Sequence, residues 1–169
     1  MKIAITGHTK GIGKCLYERC QPDILGFSRS NGYDINSSID RRRIINDVSG
    51  CDVFINNASN AFGQTQLLIS LFNEWKDQPK IIINVGSRIA EISTIPIDRL
   101  DLLDYQSQKL ILKLMSLKLA DISALCKTRY VWFGYVGTEA ILAKYPHFTE
   151  KDFITEDAAV DLILAETRE

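Results

Sequence analysis

Tyr105 and Lys109 stand four apart in Tyr105-Gln106-Ser107-Gln108-Lys109, a spacing that puts both side chains on one face of a helix. A phenol with an ordinary pKa of about 10 exchanges protons poorly at neutral pH. A neighbouring ammonium stabilises the phenolate, lowers that pKa and makes proton exchange with a carbonyl or alcohol feasible. Taken alone, the pair reads as readily as two solvated side chains. Thr6-Gly7-His8-Thr9-Lys10-Gly11-Ile12-Gly13 carries a different chemistry. Its glycines permit a tight turn and a close approach of phosphate to the backbone, and the N–H groups of a following helix favour an anion. Ser87 comes after Asn84-Val85-Gly86, and Asn57 and Ala58 follow the apolar run Val53-Phe54-Ile55. Each of these last two could be a plain loop, yet both fall where open α/β sheets keep their ligands.

The elements that must position these groups are short β-branched runs alternating with longer periodic segments, the pattern of a parallel sheet with crossover helices. Strands are expected at Ile3-Ala4-Ile5, Ile24 to Phe27, Val53 to Ile55, Ile81 to Val85 and Tyr130 to Tyr135. Helices are expected from Gly11 to Cys20, from Ser37 or Ser38 to Val48, from Gln64 to Trp75, from Asp104 to Cys126, and from Glu156 to Thr167 capped by Thr155. Only five residues separate Phe27 from Tyr33, whereas a parallel crossover takes about a dozen or more, so no strand is expected at Tyr33-Asp34-Ile35. Five strands with right-handed crossovers give the order 2-1-3-4-5, a doubly wound, Rossmann-like α/β fold with its ligand crevice between the first and third strands. A single domain over residues 1–169 is expected.

Together the four motifs resemble the short-chain dehydrogenase/reductase superfamily, whose signature is T-G-x-x-x-G-x-G, then N-N-A-G, a Ser after a strand, and Y-x-x-x-K. They occur here in that order as Thr6 to Gly13, Asn56-Asn57-Ala58-Ser59, Ser87, and Tyr105 with Lys109. Gly134-Tyr135-Val136-Gly137-Thr138 is similar to the family's P-G-x-V-x-T loop, with Phe133 in place of proline. The resemblance covers about residues 1–140. It implies Tyr105 as acid/base, Lys109 as the group that lowers its pKa and reaches the nicotinamide ribose, and Ser87 as the residue that polarises the substrate carbonyl. Asn60, in Asn60-Ala61-Phe62-Gly63, fits the family's N-L-x-G stretch, whose Asn holds a water in the proton relay. Thr6, Gly7, Thr9, Lys10, Gly11, Ile12, Gly13, Ser28, Arg29, Asp34, Ile35, Asn57, Ala58, Val136 and Thr138 are implied as cofactor contacts beside Tyr105 and Lys109. The chain departs from the pattern by lacking the family's third strand after Arg29, by inserting Glu91 to Leu103 between Ser87 and Tyr105, by Ser59 for the last Gly of N-N-A-G, and by a brief segment after Thr138.

NAD-selective members carry an acid at the end of the second strand for the ribose 2′-OH. Phe27-Ser28-Arg29-Ser30 has none, and Arg29 suits a 2′-phosphate, so NADP(H) is expected over NAD(H). The leading reading is an NADP(H)-dependent carbonyl reductase or alcohol dehydrogenase acting on a small molecule. The competing one is a dinucleotide-binding sensor or scaffold without turnover; epimerase or dehydratase chemistry would need a C-terminal substrate domain for which little chain remains after Thr138. With 20 Lys+Arg against 21 Asp+Glu, the chain has no electrostatic footprint for nucleic acid, and no apolar run nears the ~20 residues of a membrane span. Four cysteines without a C-x-x-C pair point to reduced thiols, no metal and a cytoplasmic setting. The helix at 105–127 carries an apolar stripe roughly twice as wide as packing on one sheet needs, and a homodimer through that helix is expected.

Overall fold

A computed structural model of the chain describes residues 1–168. Its sheet consists of β1 (Ile3–Thr6), β2 (Ile24–Phe27), β3 (Val53–Asn56), β4 (Ile81–Val85) and β5 (Lys127–Val131), all parallel, in the order β2-β1-β3-β4-β5. This is the expected doubly wound architecture. α1 (Gly11–Arg19) and α6 (Glu156–Ala165) cover one face; α2 (Ser38–Asp47), α3 (Gly63–Trp75) and α4 (Leu103–Ala120) cover the other. Strand alternation builds the two cores. Ile3, Ile5, Val53, Ile55, Ile83 and Val85 pack with Leu16, Ala159, Val160 and Ile163, while Ala4, Phe54 and Ile82 pack with Ile44, Leu67, Leu71, Trp75 and Leu112. β1 and β3 are buried on both faces, which is why they read as unbroken apolar runs.

Where the family's third strand would stand, the chain makes a single helical turn at Arg29–Asn31 and then enters α2, whose N-terminus is capped by the Ser37 hydroxyl accepting from Asp40 N–H at 3.2 Å. Arg41 and Arg43 hold this shortcut in place. Arg41 donates to Ile35 O at 2.7 Å, and Arg43 to Gly32 O at 3.0 Å and Asp40 Oδ1 at 2.9 Å.

Two boundaries differ from expectation. α4 stops at Ala120 rather than Cys126, because Ser123 gives the following backbone other partners. Its hydroxyl donates to Lys76 O at 2.5 Å and accepts from Leu125 N–H and Cys126 N–H. The last strand runs over Lys127–Val131 rather than Tyr130–Tyr135; its polar start reflects an edge position, and Trp132 lies beyond it and is 47% exposed. The short helix α5 (Glu139–Lys144) had no periodic signal. On α4 the buried face is Gln106, Lys109, Leu112, Ser116 and Leu119, whereas Leu110, Ile111, Leu114 and Leu117 are exposed. No helix among the described residues is long and apolar enough to cross a membrane.

Candidate active site

The glycine-rich loop leaves β1 and opens α1 at the C-terminal edge of the sheet. Gly7 and Gly11 have φ of +77° and +53°, in the left-handed region that glycine enters freely. A Cβ on Gly13 would lie 2.0 Å from Gly7 O, so the first turn of α1 sits against the strand end only because that side chain is missing. α1 has no side-chain cap at Lys10 and no acid in its first turn. Its leading N–H groups thus suit an anion such as a pyrophosphate, and the residues present fit a dinucleotide. Thr6 fixes the neighbouring edge: its hydroxyl accepts from Asn57 N–H at 3.1 Å and Ala58 N–H at 3.0 Å, while Asn57 Nδ2 donates to Thr6 O at 3.0 Å.

The other implied cofactor contacts surround this loop. Ile12 borders the main cavity, and Thr9 and Lys10 are exposed beside it. Ser28 and Arg29 stand just past β2; Ser28 is engaged with Ser30 and Asn31, leaving the exposed Arg29 as the cation at that strand end. Asp34 accepts from Asn36 N–H at 3.0 Å, and Ile35 is buried in the core. Val136 is buried and bridges to Ile154. Thr138 caps α5 and sits over Gly11, where a Cβ would come within 3.1 Å of its methyl.

Ser87, Tyr105 and Lys109, distant in sequence, line one cavity of about 1020 Å³ together with Asn57, Ser59 and Thr138. Ser87 caps the turn Arg88–Glu91, its hydroxyl accepting from Ile89 N–H at 3.3 Å. Tyr105 is 38% exposed. Burial around its hydroxyl raises the phenol above its usual range, while a hydrogen bond with the Ser87 side chain pulls the other way. Lys109 is 3% exposed, and burial alone brings its ammonium down to about 8. Its Nζ lies 5.6 Å from the centre of the Tyr105 ring and donates to Gln64 Oε1 at 2.8 Å and Val85 O at 3.3 Å.

A hydrogen bond with the Ser87 side chain favours the Tyr105 phenolate, while the Lys109 amine is turned toward Gln64 and the end of β4. Asn60 falls in the loop before α3, next to Ala61 with φ +43°, and its amide contacts Asp34 Oδ1 at 3.3 Å.

Three contributors were missed. Gln64 holds Lys109 and gave no signal beyond opening a predicted helix. Gln106, one residue after Tyr105, donates to Ile89 O at 3.2 Å and Ile92 O at 2.7 Å, tying the chain after Ser87 to α4. Tyr130 packs beneath Ser87. A Cβ on Gly86 would meet its ring at 2.2 Å, and burial pushes its phenol up to about 12. His8 turns under the loop, its ring 4.8 Å from that of Tyr17, and takes no part in the cavity.

No family model matches the sequence, and no curated protein matches it. Solved structures do match the fold. A small-chain dehydrogenase in complex with NADPH aligns at TM-score 0.79 and 13% identity, covering 100% of this chain and 91% of that one. The closed form of a serine dehydrogenase complexed with NADP+ aligns at 0.76 and 16%, over 100% and 90%. A short chain dehydrogenase from Burkholderia cenocepacia in complex with NADP aligns at 0.77 and 18%, over 98% and 85%. Sheet order, element sequence and these alignments agree: the chain has the fold of the short-chain dehydrogenases, in a form 169 residues long.

Proposed function

We propose that this protein is an NADP(H)-dependent oxidoreductase of the short-chain dehydrogenase/reductase type, interconverting a carbonyl compound and an alcohol. The observation that carries the reading is the meeting of Ser87, Tyr105 and Lys109 in one cavity that opens beside an uncapped, glycine-lined helix N-terminus. When bound, the dinucleotide supplies or accepts the hydride. Gly7, Gly11, Ile12 and Gly13 would hold its pyrophosphate, Arg29 its 2′-phosphate, and Asn57, Val136 and Thr138 would flank the ring that reacts. The protein's own part is orientation and proton handling. The Ser87 hydroxyl donates a hydrogen bond to the substrate oxygen, the Tyr105 phenol gives that oxygen a proton during reduction or takes one during oxidation, and the Lys109 ammonium supports the phenolate. Ile89, Ile92, Leu102 and Tyr135 form an apolar wall of the same cavity, suited to the carbon skeleton of a substrate. Complete machinery of this kind favours turnover over a sensor that only binds.

The test is NADPH consumption at 340 nm against a broad carbonyl panel, with Tyr105→Phe beside the wild type. Acid–base groups of this sort contribute about 10²–10⁴ in rate, so the variant should lose at least a hundredfold in turnover while binding NADPH within about threefold of wild type. A variant that keeps a tenth of the rate on any substrate defeats the assignment. A homodimer through α4 and a cytoplasmic setting belong to the same proposal, supported by the exposed leucines of that helix and by four free thiols.

A further inference from the structure

Gln64 occupies the first turn of α3 and is 3% exposed. Its Nε2 donates to Asn56 O at 2.6 Å and Val85 O at 3.0 Å. Both partners are carbonyls, which only accept, so the amide can be oriented in one way: Oε1 must face Lys109, and it does, at 2.8 Å from Nζ. The amide is itself anchored. Asn56 Nδ2 donates to Gln64 O at 2.9 Å and to Asn84 Oδ1 at 2.9 Å, and Asn84 Nδ2 to Arg129 O at 3.3 Å. A continuous set of hydrogen bonds thus runs from β5 through β4 and β3 to the amine. Lysine has a flexible four-carbon stem and three N–H donors. With Gln64 Oε1 and Val85 O taking two of them, one donor remains for a ligand in the cavity that Lys109 lines.

We propose that Gln64 is the positioning residue for Lys109, holding the amine by a direct side-chain contact. Its catalytic meaning rests on the function proposed above; the contact itself can be tested apart from turnover. The groups facing Lys109 are Tyr105 from its own helix, the Gln64 amide from α3 and the Val85 carbonyl from β4, with the Ser87 hydroxyl and the Tyr130 phenol behind Tyr105. Among the described residues no carboxylate pairs with it.

Gln64→Glu and Gln64→Met both lose the two Nε2 donations and differ in what they present to the amine, a carboxylate or a thioether. The Lys109 Cε resonance, followed by NMR in 13C-lysine-labelled protein and assigned by its loss in Lys109→Met, should titrate at least one pH unit higher in Gln64→Glu than in Gln64→Met, with the wild type between them. Equal midpoints in the two variants would mean that the side chain at position 64 does not face the amine, and that result overturns the proposal. Should neither variant fold, the wild type decides. A nuclear Overhauser contact between the Lys109 ε and Gln64 γ protons must be present in the free protein and persist with NADPH bound. Its loss on cofactor binding would mean that Gln64 does not position the amine in the working state. If instead Tyr105→Phe retains activity, the proposed function fails while these outcomes still stand or fall by themselves.

Discussion

A buried ammonium with no carboxylate beside it should destabilise the fold in a pH-dependent way. In the unfolded chain the Lys109 amine holds its proton up to the ordinary 10.5; in the fold it does so only to about 8. Below about pH 8 both states are protonated and the folded state carries the whole penalty of burying the charge. Between about 8 and 10.5 the unfolded chain binds more protons, so stability rises with pH. At about 1.4 kcal/mol per pH unit, the interval corresponds to roughly 3 kcal/mol. Roughly 1 kcal/mol of it is relieved between pH 7 and 9. The thiols of Cys126, Cys51, Cys20 and Cys15, raised by burial, act in the opposite sense as pH climbs past 9. The measurement must therefore be a difference between two proteins that share them. Lys109→Met keeps the length of the stem and removes the charge. Urea unfolding of wild type and Lys109→Met at pH 6, 7, 8 and 9 should show the wild type gaining roughly 1 kcal/mol on the variant from pH 7 to 9, with no change from 6 to 7 beyond a few tenths. A difference that is flat from pH 6 to 9 would mean the ammonium is not desolvated and would refute the reasoning.

Isothermal titration should give NADPH at least tenfold tighter binding than NADH, and Arg29→Ala should remove most of that gap; equal dissociation constants in the wild type would end the case for a 2′-phosphate site. Gly13→Ala forces a methyl to within 2.0 Å of Gly7 O, so it should lower stability by roughly 1–3 kcal/mol and weaken cofactor binding at least tenfold, read by thermal shift with and without NADPH. Light scattering at micromolar concentration should find a homodimer that Leu114→Glu with Leu117→Glu converts to monomer, and a wild-type monomer would remove the role of the exposed α4 face.

The strands that read most clearly were those covered on both faces, such as Val53 to Ile55 and Ile81 to Val85, because a doubly covered strand is almost wholly apolar, with Asn84 the one polar side chain in these two. Sheet order followed from one length, the five residues between Phe27 and Tyr33. Legibility failed where tertiary partners outweigh local pattern. Ser123 ends α4 by bonding to Lys76, a residue 47 positions away, and no window around Ser123 contains that information. Ser87, Tyr105 and Lys109 could be found because each sits at a fixed offset from a strand or from one another. Gln64 and Gln106 could not, since an amide at a helix start or on a helix face becomes meaningful only once the carbonyls it meets are in place. Asn60 shows the converse. Its stretch could be matched to N-L-x-G, with Ala61 in place of Leu, but the contact of its amide with Asp34, 26 positions away, could not be read from it.

The roof of the cavity is built differently from the sheet beneath it. α5 buries none of its residues, and the chain around it carries three packed rings, Tyr135 before the helix and Tyr145 and Phe148 after it, with centroids 4.8 to 5.3 Å apart. It rejoins the body through Gly137 N–H donating to Ile154 O at 2.8 Å and through the Phe153 ring lying on Gly137. Lifting such a segment exposes little apolar surface and leaves every strand pairing intact, so its opening free energy lies far below that of global unfolding. Movement of this segment can thus alter the mouth of the cavity without loosening the sheet beneath it. Amide exchange across residues 139–152 should accordingly run orders of magnitude faster than across β3 and β4.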